Sequence, residues 1–236
     1  MDQLIVALDV ESGGRALELA DSLRDIAGAF KIGSRLFTLE GPAFVRRFTE
    51  RGDKVFLDLK FHDIPNTVAT AVEAAALLGV WMLNVHAAGG RKMMTAAVDA
   101  AHTTAAKTGR QAPLVIAVTV LTSMNAQALS ESGVETTVLD QVVRLARLTQ
   151  DAGLDGVVAS AQETALLREQ CGKNFAIVTP GIRDHSQAGK QDDQERTMTA
   201  SEAIAAGASY IVVGRPIIAA ADPRSAAESL ITAASR

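Results

Sequence analysis

Short apolar runs recur along the chain, each followed by a loop and then by a stretch with helical spacing. The runs predict strands at Leu4–Leu8, Ala29–Ile32, Lys54–Lys60, Trp81–Val85, Leu114–Val120, Gly156–Ala159, Phe175–Val178 and Tyr210–Val213. Between them, amphipathic spacing predicts helices from Ala16 to Leu23, Gly41 to Glu50, Val68 to Leu78, Gly90 to about Lys107, Thr136 to Asp151 and Gln162 to Gln170. Most of the strands are apolar on both faces, as strands of a parallel sheet covered on both sides are. Eight such units within 236 residues fit one α/β domain over 1–236, a single (β/α)8 TIM barrel. A doubly wound open sheet is the alternative, but no Gly-x-Gly-x-x-Gly turn follows the first strand.

Two stretches break the rhythm, Leu121 to about Glu135 and Gly181 to Arg196. The second is rich in Gln, Asp, Gly and Ser and follows the seventh strand. Loops after strands seven and eight often bind phosphate in such barrels, and a polar loop this long is usually either a lid or disordered.

Composition narrows the function classes. Hydrophobic residues make up 48% of the chain but aromatics only 4%, so the core must be built from Ala, Val, Leu and Ile. A net charge of -4 without a basic, aromatic-studded stripe gives no case for nucleic acid or an anionic membrane. No run approaches the ~18 apolar residues of a membrane span. The lone Cys171 cannot pair within the chain or anchor a zinc cluster. A soluble cytoplasmic protein is the expectation.

The chemistry concentrates in Asp58-Leu59-Lys60-Phe61-His62-Asp63-Ile64-Pro65-Asn66-Thr67, which ends the third strand and opens the next helix. Residues two apart on a strand share a face, so Asp58 and Lys60 are expected side by side, with Leu57 and Leu59 turned to apolar packing. A lone Asp-x-Lys usually reads as a solvated edge pair, yet the flanking residues are too apolar for an edge. In a barrel the strand C-termini converge on one mouth. That mouth collects Asp9, Lys31, Asp58, Lys60, His86, Thr122 or Ser123, Arg183 and Gly214-Arg215. Gly214-Arg215 suits an anion, with backbone N–H groups open beside the glycine and a guanidinium fork for phosphate. Arg183 and Gln194 could close over the same anion. Lys31, Asp58, Lys60 and Asp63 would balance one another in a desolvated pocket, and a lysine flanked by carboxylates stays protonated and can deliver a proton.

That decapeptide resembles the signature of the orotidine 5′-phosphate decarboxylases. The likeness extends through Ala7-Leu8-Asp9, Lys31-Ile32-Gly33, Asn84-Val85-His86-Ala87, Val118-Thr119-Val120-Leu121-Thr122-Ser123, Thr179-Pro180-Gly181-Ile182-Arg183 and Val213-Gly214-Arg215-Pro216, and is strongest to the shorter bacterial type. It implies a homodimeric barrel converting orotidine 5′-phosphate to uridine 5′-phosphate and carbon dioxide in pyrimidine synthesis, with no metal and no organic cofactor. By the same resemblance, Lys60 protonates C6 of the pyrimidine and Asp58 sits beside the departing carboxylate. Lys31 and Asp9 contact the ribose. Asp63 and Thr67 reach into the neighbouring subunit's site. Thr122 and Ser123 face the pyrimidine edge, Arg183, Gln194, Gly214 and Arg215 hold the phosphate, and Pro180 is a further substrate-binding residue.

Two other readings stay open on the residues. One is a magnesium-dependent sugar-phosphate decarboxylase of the keto-gulonate-phosphate type on the same barrel, which uses a similar Asp-x-Lys-x-x-Asp arrangement. The Ile64-Pro65-Asn66-Thr67 continuation and Leu121-Thr122-Ser123 count against it. The other is a non-catalytic nucleotide-phosphate binder, which has no use for Lys31, Asp58, Lys60 and Asp63 together.

Overall fold

A computed structural model describes residues 2–182 and 198–234. Eight parallel strands close into a barrel in chain order: β1 (Leu4–Ala7), β2 (Ala29–Gly33), β3 (Val55–Phe61), β4 (Met82–His86), β5 (Leu114–Val118), β6 (Gly156–Val158), β7 (Ala176–Thr179) and β8 (Tyr210–Val213). The last strand returns to the first, with Val6 beside Val213. Each predicted strand is present, shifted by one or two residues at its ends, and the open-sheet alternative is excluded by the closure.

Helices fill the crossovers: α1 (Gly13–Leu23), α2 (Ser34–Thr49), α3 (Pro65–Leu77), α4 (Gly90–Thr108), α5 (Ala126–Glu131), α6 (Val138–Asp151), α7 (Ala161–Cys171), α8 (Ala200–Ala205), α9 (Arg215–Ile218) and α10 (Pro223–Ala234). Capping side chains set several starts. Ser12 Oγ accepts from the Arg15 N–H, and Thr137 Oγ1 from the Asp140 N–H at 3.1 Å. Two expectations need adjustment. The helical stretch from Gly41 to about Glu50 is present, but a further helical segment from Ser34 precedes it, and Gly41, at φ 73° before Pro42, kinks the chain between the two parts of α2. The stretch Leu121 to Glu135 is no plain loop either. It carries α5, started by Asn125, whose Oδ1 accepts from the Ala128 N–H at 3.0 Å.

Strand parity sorts the core into two bodies. Leu4, Val6, Phe30, Ile32, Val55, Leu57, Leu83, Val85, Val115, Ala117, Ile177 and Ile211 point outward and pack under the helices. Ile5, Ala7, Ala29, Phe56, Met82, Ile116, Val178 and Val212 point inward and fill the barrel. At the strand N-termini, Trp81 and Tyr210 pack edge to face, ring centres 5.1 Å apart, with the Lys54 ammonium 5.7 Å from the Trp81 ring. Higher up the inward positions change character. On β2, Ala29 is followed by Lys31; on β3, Phe56 by Asp58; on β4, Met82 by Asn84. All three polar residues are buried. The barrel is oil below and charge above.

Close strand contact limits the wall. A Cβ on Gly156 would lie 2.1 Å from the Ala176 carbonyl oxygen on the neighbouring strand. Gly156→Ala is therefore expected to cost roughly 1–3 kcal/mol, read as a lower urea midpoint at unchanged slope. An unchanged midpoint would mean that β6 and β7 separate freely.

Candidate active site

A cavity of about 550 Å³ occupies the barrel mouth. Its floor is apolar, with Ala7, Phe56, Val118, Val158, Val178 and Val212. Its rim carries Asp9, Lys31, Asp58, Lys60, Thr122, Pro180, Gly181, Gly214 and Arg215. Eight of the residues singled out from sequence thus line one cavity, brought there by the ends of β1, β2, β3, β7 and β8 and the segment after β5.

Asp58 is the hub of the polar rim. Its Oδ2 lies 3.2 Å from Lys31 Nζ, and its Oδ1 2.6 Å from Lys60 Nζ. The Asn84 amide also donates to Oδ1, at 2.7 Å. Lys31 Nζ reaches Asp9 Oδ1 as well, at 3.1 Å. Gly33 makes room for that pair, since a Cβ there would sit 3.2 Å from both Asp9 Oδ1 and Lys31 Nζ. The chain is Asp9–Lys31–Asp58–Lys60, alternating in sign and neutral as a whole. Burial alone raises a carboxyl and lowers an ammonium. Here burial pushes Asp58 up, but Lys31, Lys60 and the amide of Asn84 more than reverse it, leaving Asp58 below its ordinary value. Burial likewise pulls Lys31 down, and the carboxylates of Asp58 and Asp9 leave it above its ordinary value. Both groups are held charged.

Lys60 does not sit on a regular strand. Its φ is 54°, the only positive value for a non-glycine residue among those described, a conformation costing roughly 1–3 kcal/mol. The β3–β4 register shifts between Leu57 and Phe61. The expected meeting of Asp58 and Lys60 occurs, but through this bulge rather than through simple alternation. Lys60 Nζ is left partly open to the cavity, its side chain 37% exposed.

Other expected residues fall elsewhere. Asp63 and Thr67 are exposed and lie outside the cavity lining; the Asp63 carboxylate accepts from the Ile64 N–H at 2.6 Å, before α3. Ser123 is exposed and also outside the lining, so Thr122 is the member of that pair facing the cavity. Arg183 and Gln194 lie outside the described residues. His86 is half-buried against His62, ring centres 5.4 Å apart. Burial, with His62 and Lys60 nearby, holds it below its ordinary value. Among the described residues no group of three or more His, Cys, Asp or Glu is placed to hold a metal ion. The sequence places Asn84 only within the stretch Asn84-Val85-His86-Ala87 and assigns it no role. Its signal was a lone amide inside the apolar run Met82-Leu83-Asn84-Val85.

The charge states set a pH dependence. Asp58 has a depressed value in the folded chain, so its contribution to stability is complete above the ordinary carboxylate value of 3.8 and disappears as pH falls through the lower folded value. Lys31 is the reverse case: its contribution is complete below 10.5 and is lost as pH rises through the higher folded value. The stability gap between the parent and Asp58→Asn, measured by urea unfolding, should therefore be constant above pH 3.8 and narrow below it, until base loosens Lys31. A gap that stays constant into acid would mean that Asp58 gains nothing from its ammonium neighbours.

Comparison with known proteins completes the picture. A family model described as "Orotidine 5'-phosphate decarboxylase / HUMPS family" matches residues 2–230. The orotidine 5′-phosphate decarboxylase of Moorella thermoacetica is 54% identical over 230 residues, 97% of this chain and 90% of that protein. That of Vibrio campbellii is 51% identical over 228 residues, 97% of this chain and 95% of its own length. Among solved structures, the orotidine 5′-phosphate decarboxylase of Lactobacillus acidophilus superposes with a TM-score of 0.87 at 36% identity, covering 99% of each chain. That of Pyrococcus horikoshii OT3 does so with 0.78 at 27%, again over 99% of each. With its closed barrel, its neutral row of alternating charges and likeness over nearly its whole length, the chain belongs to the orotidine 5′-phosphate decarboxylase / HUMPS family.

Proposed function

We infer that this chain decarboxylates orotidine 5′-phosphate to uridine 5′-phosphate and carbon dioxide, within pyrimidine biosynthesis, and that Lys60 is its proton donor. The observation carrying the second part is the Asp58-held ammonium of Lys60 at the cavity rim, 2.6 Å from Oδ1. When the bond from C6 to the carboxylate breaks, carbon dioxide leaves and the electron pair remains on C6. A fixed cation beside that carbon stabilises the developing charge and then supplies the proton. The proton is replaced from solvent when the product leaves.

Lys31 and Asp9 continue the charged row towards the ribose. Asp58, already satisfied by two ammonium groups and an amide, accepts little further negative charge, and a departing carboxylate brought near it would be pressed to leave. Thr122 serves the pyrimidine edge, with Ser123 beside it on the same segment. Gly214 and Arg215, on the β8 side of the lining, suit the phosphate, and Pro180 lines the same cavity after β7. Arg183 and Gln194 are proposed to complete that grip. Phosphate binding remote from C6 can then contribute to the chemical step.

The homodimer belongs to the same proposal. Asp63 and Thr67 are exposed beside the mouth, a position from which they could serve a neighbouring subunit's cavity. The working unit is taken as one barrel domain over 1–236. A cytoplasmic setting is proposed with it; among the described residues no helix is long and apolar enough to cross a membrane.

The magnesium-dependent sugar-phosphate reading on the same barrel is the one to exclude by experiment. Asp58 favours the nucleotide, because ammonium and amide donors already occupy both of its oxygens. Decarboxylation of orotidine 5′-phosphate, followed by ultraviolet absorbance with a chelator present, is expected to proceed in the wild type. In Lys60→Ala it should fall by at least roughly 10²-fold. Inactive wild type that regains turnover on a keto-acid sugar phosphate with magnesium would overturn the nucleotide reading. For the shared site, mixing Asp63→Ala and Lys60→Ala subunits should restore about one quarter of the activity, since half the dimers carry one intact site. No recovery after proven subunit exchange would confine Asp63 to its own chain.

A further inference from the structure

Beyond satisfying Asp58, Asn84 has no assigned role, yet it is the most completely buried polar group around the charged row. It stands on the inward face of β4 at 0% exposure, and the inward residues Met82 and Ile116 near it are apolar. An amide in such a place is costly unless both of its ends are used. Both are. Asn84 Oδ1 accepts from the Lys60 N–H at 2.8 Å, and Asn84 Nδ2 donates to Asp58 Oδ1 at 2.7 Å.

The location is where the strand ladder fails. Leu57 pairs with Leu83, and the next registered pair is Phe61 with Val85, so β3 advances four residues while β4 advances two. The Lys60 amide takes the Asn84 side chain as its acceptor, and Lys60 keeps φ 54°. One carboxamide therefore reaches both the backbone that carries the ammonium and the carboxylate that orients it.

We propose that Asn84 is a positioning residue for the decarboxylation, clasping the Lys60 backbone and the Asp58 carboxylate so that the ammonium is delivered at a set height over the reacting carbon. The proposal rests on the decarboxylase reading. The carboxamide suits the task because its ends differ. Turned over, it would set donor against donor at Lys60 and acceptor against acceptor at Asp58. An aspartate would keep the acceptor for Lys60 but press a second carboxylate oxygen on Asp58. An alanine would leave Lys60 N–H without its acceptor and Asp58 Oδ1 short of a donor. Asn84 does not line the cavity, so its loss acts on the chemical step rather than on nucleotide binding.

The test uses the full chain as wild type, Asn84→Ala and Asn84→Asp, with kcat and KM for orotidine 5′-phosphate and the Kd of uridine 5′-phosphate. The expected result is a kcat lower by roughly 10- to 100-fold in both variants, with KM and product Kd within about threefold of the wild type. Folded Asn84→Ala with unchanged kcat overturns the proposal. So does a kcat and a product affinity that fall together by the same factor, which would mark general loosening. Hydrogen exchange of the Lys60 amide in the wild type decides independently of whether the variants fold: slow exchange supports the clasp, and exchange at the unprotected rate overturns it. Inactive wild type sinks the decarboxylase reading itself, whereas an active wild type with unaffected variants sinks only the role of Asn84.

Discussion

A carboxylate taken out of water must be given partners, and Asp58 is the point on which this barrel mouth depends. One of its oxygens meets Lys31 and the other meets Lys60 and Asn84. Left alone at that depth, the carboxyl would take up a proton. Left without it, two ammonium groups would face each other across a partly desolvated cavity. The need for mutual neutralisation therefore fixes which residues stand together. The proton delivery proposed for Lys60 would draw on the same arrangement, since the Asp58 carboxylate that neutralises its side chain also fixes where that side chain stands.

The strain at Lys60 belongs to the same arrangement. A regular strand would pair the Lys60 N–H with β4 and carry the side chain along an even alternation. The bulge between Leu57 and Phe61 gives up that pairing and places a non-glycine residue at positive φ. Such a departure persists only where neighbours over-determine it. Here the buried side chain of Asn84 and the ion pair to Asp58 do so.

Much of this is legible in the amino-acid sequence. The strands were visible because a parallel barrel buries both faces, so each appears as a short unbroken apolar run. Lys31, Asp58 and Lys60 stood out because charge inside such runs needs a reason. What escaped notice is equally physical. The bulge at Lys60 has no glycine or proline to mark it. The helix from Gly41 was legible, but the segment from Ser34 that precedes it across the Gly41 kink was not. The short helix from Ala126 to Glu131 has too few turns to show a period. Asp63 is expected in the charged set from its place just beyond the third strand, and family likeness adds Thr67 and a reach into the neighbouring subunit. In the single chain both are exposed and outside the cavity lining, because the turn after the third strand carries them past the mouth.

The two-sided parity of the strands has a consequence for how the length of this chain can change. On β2, Lys31 points into the mouth while Phe30 and Ile32 on either side point under the helices. Adding or deleting a single residue within such a strand would exchange the two sets, sending an ammonium into hydrocarbon and a phenylalanine into the charged row. The strands can lose or gain residues only in pairs, and even a pair would carry Lys31 one layer away from Asp58. Variation in length is thereby confined to the connecting loops, while the eight short strands behave as a fixed ruler against which the chemistry is set.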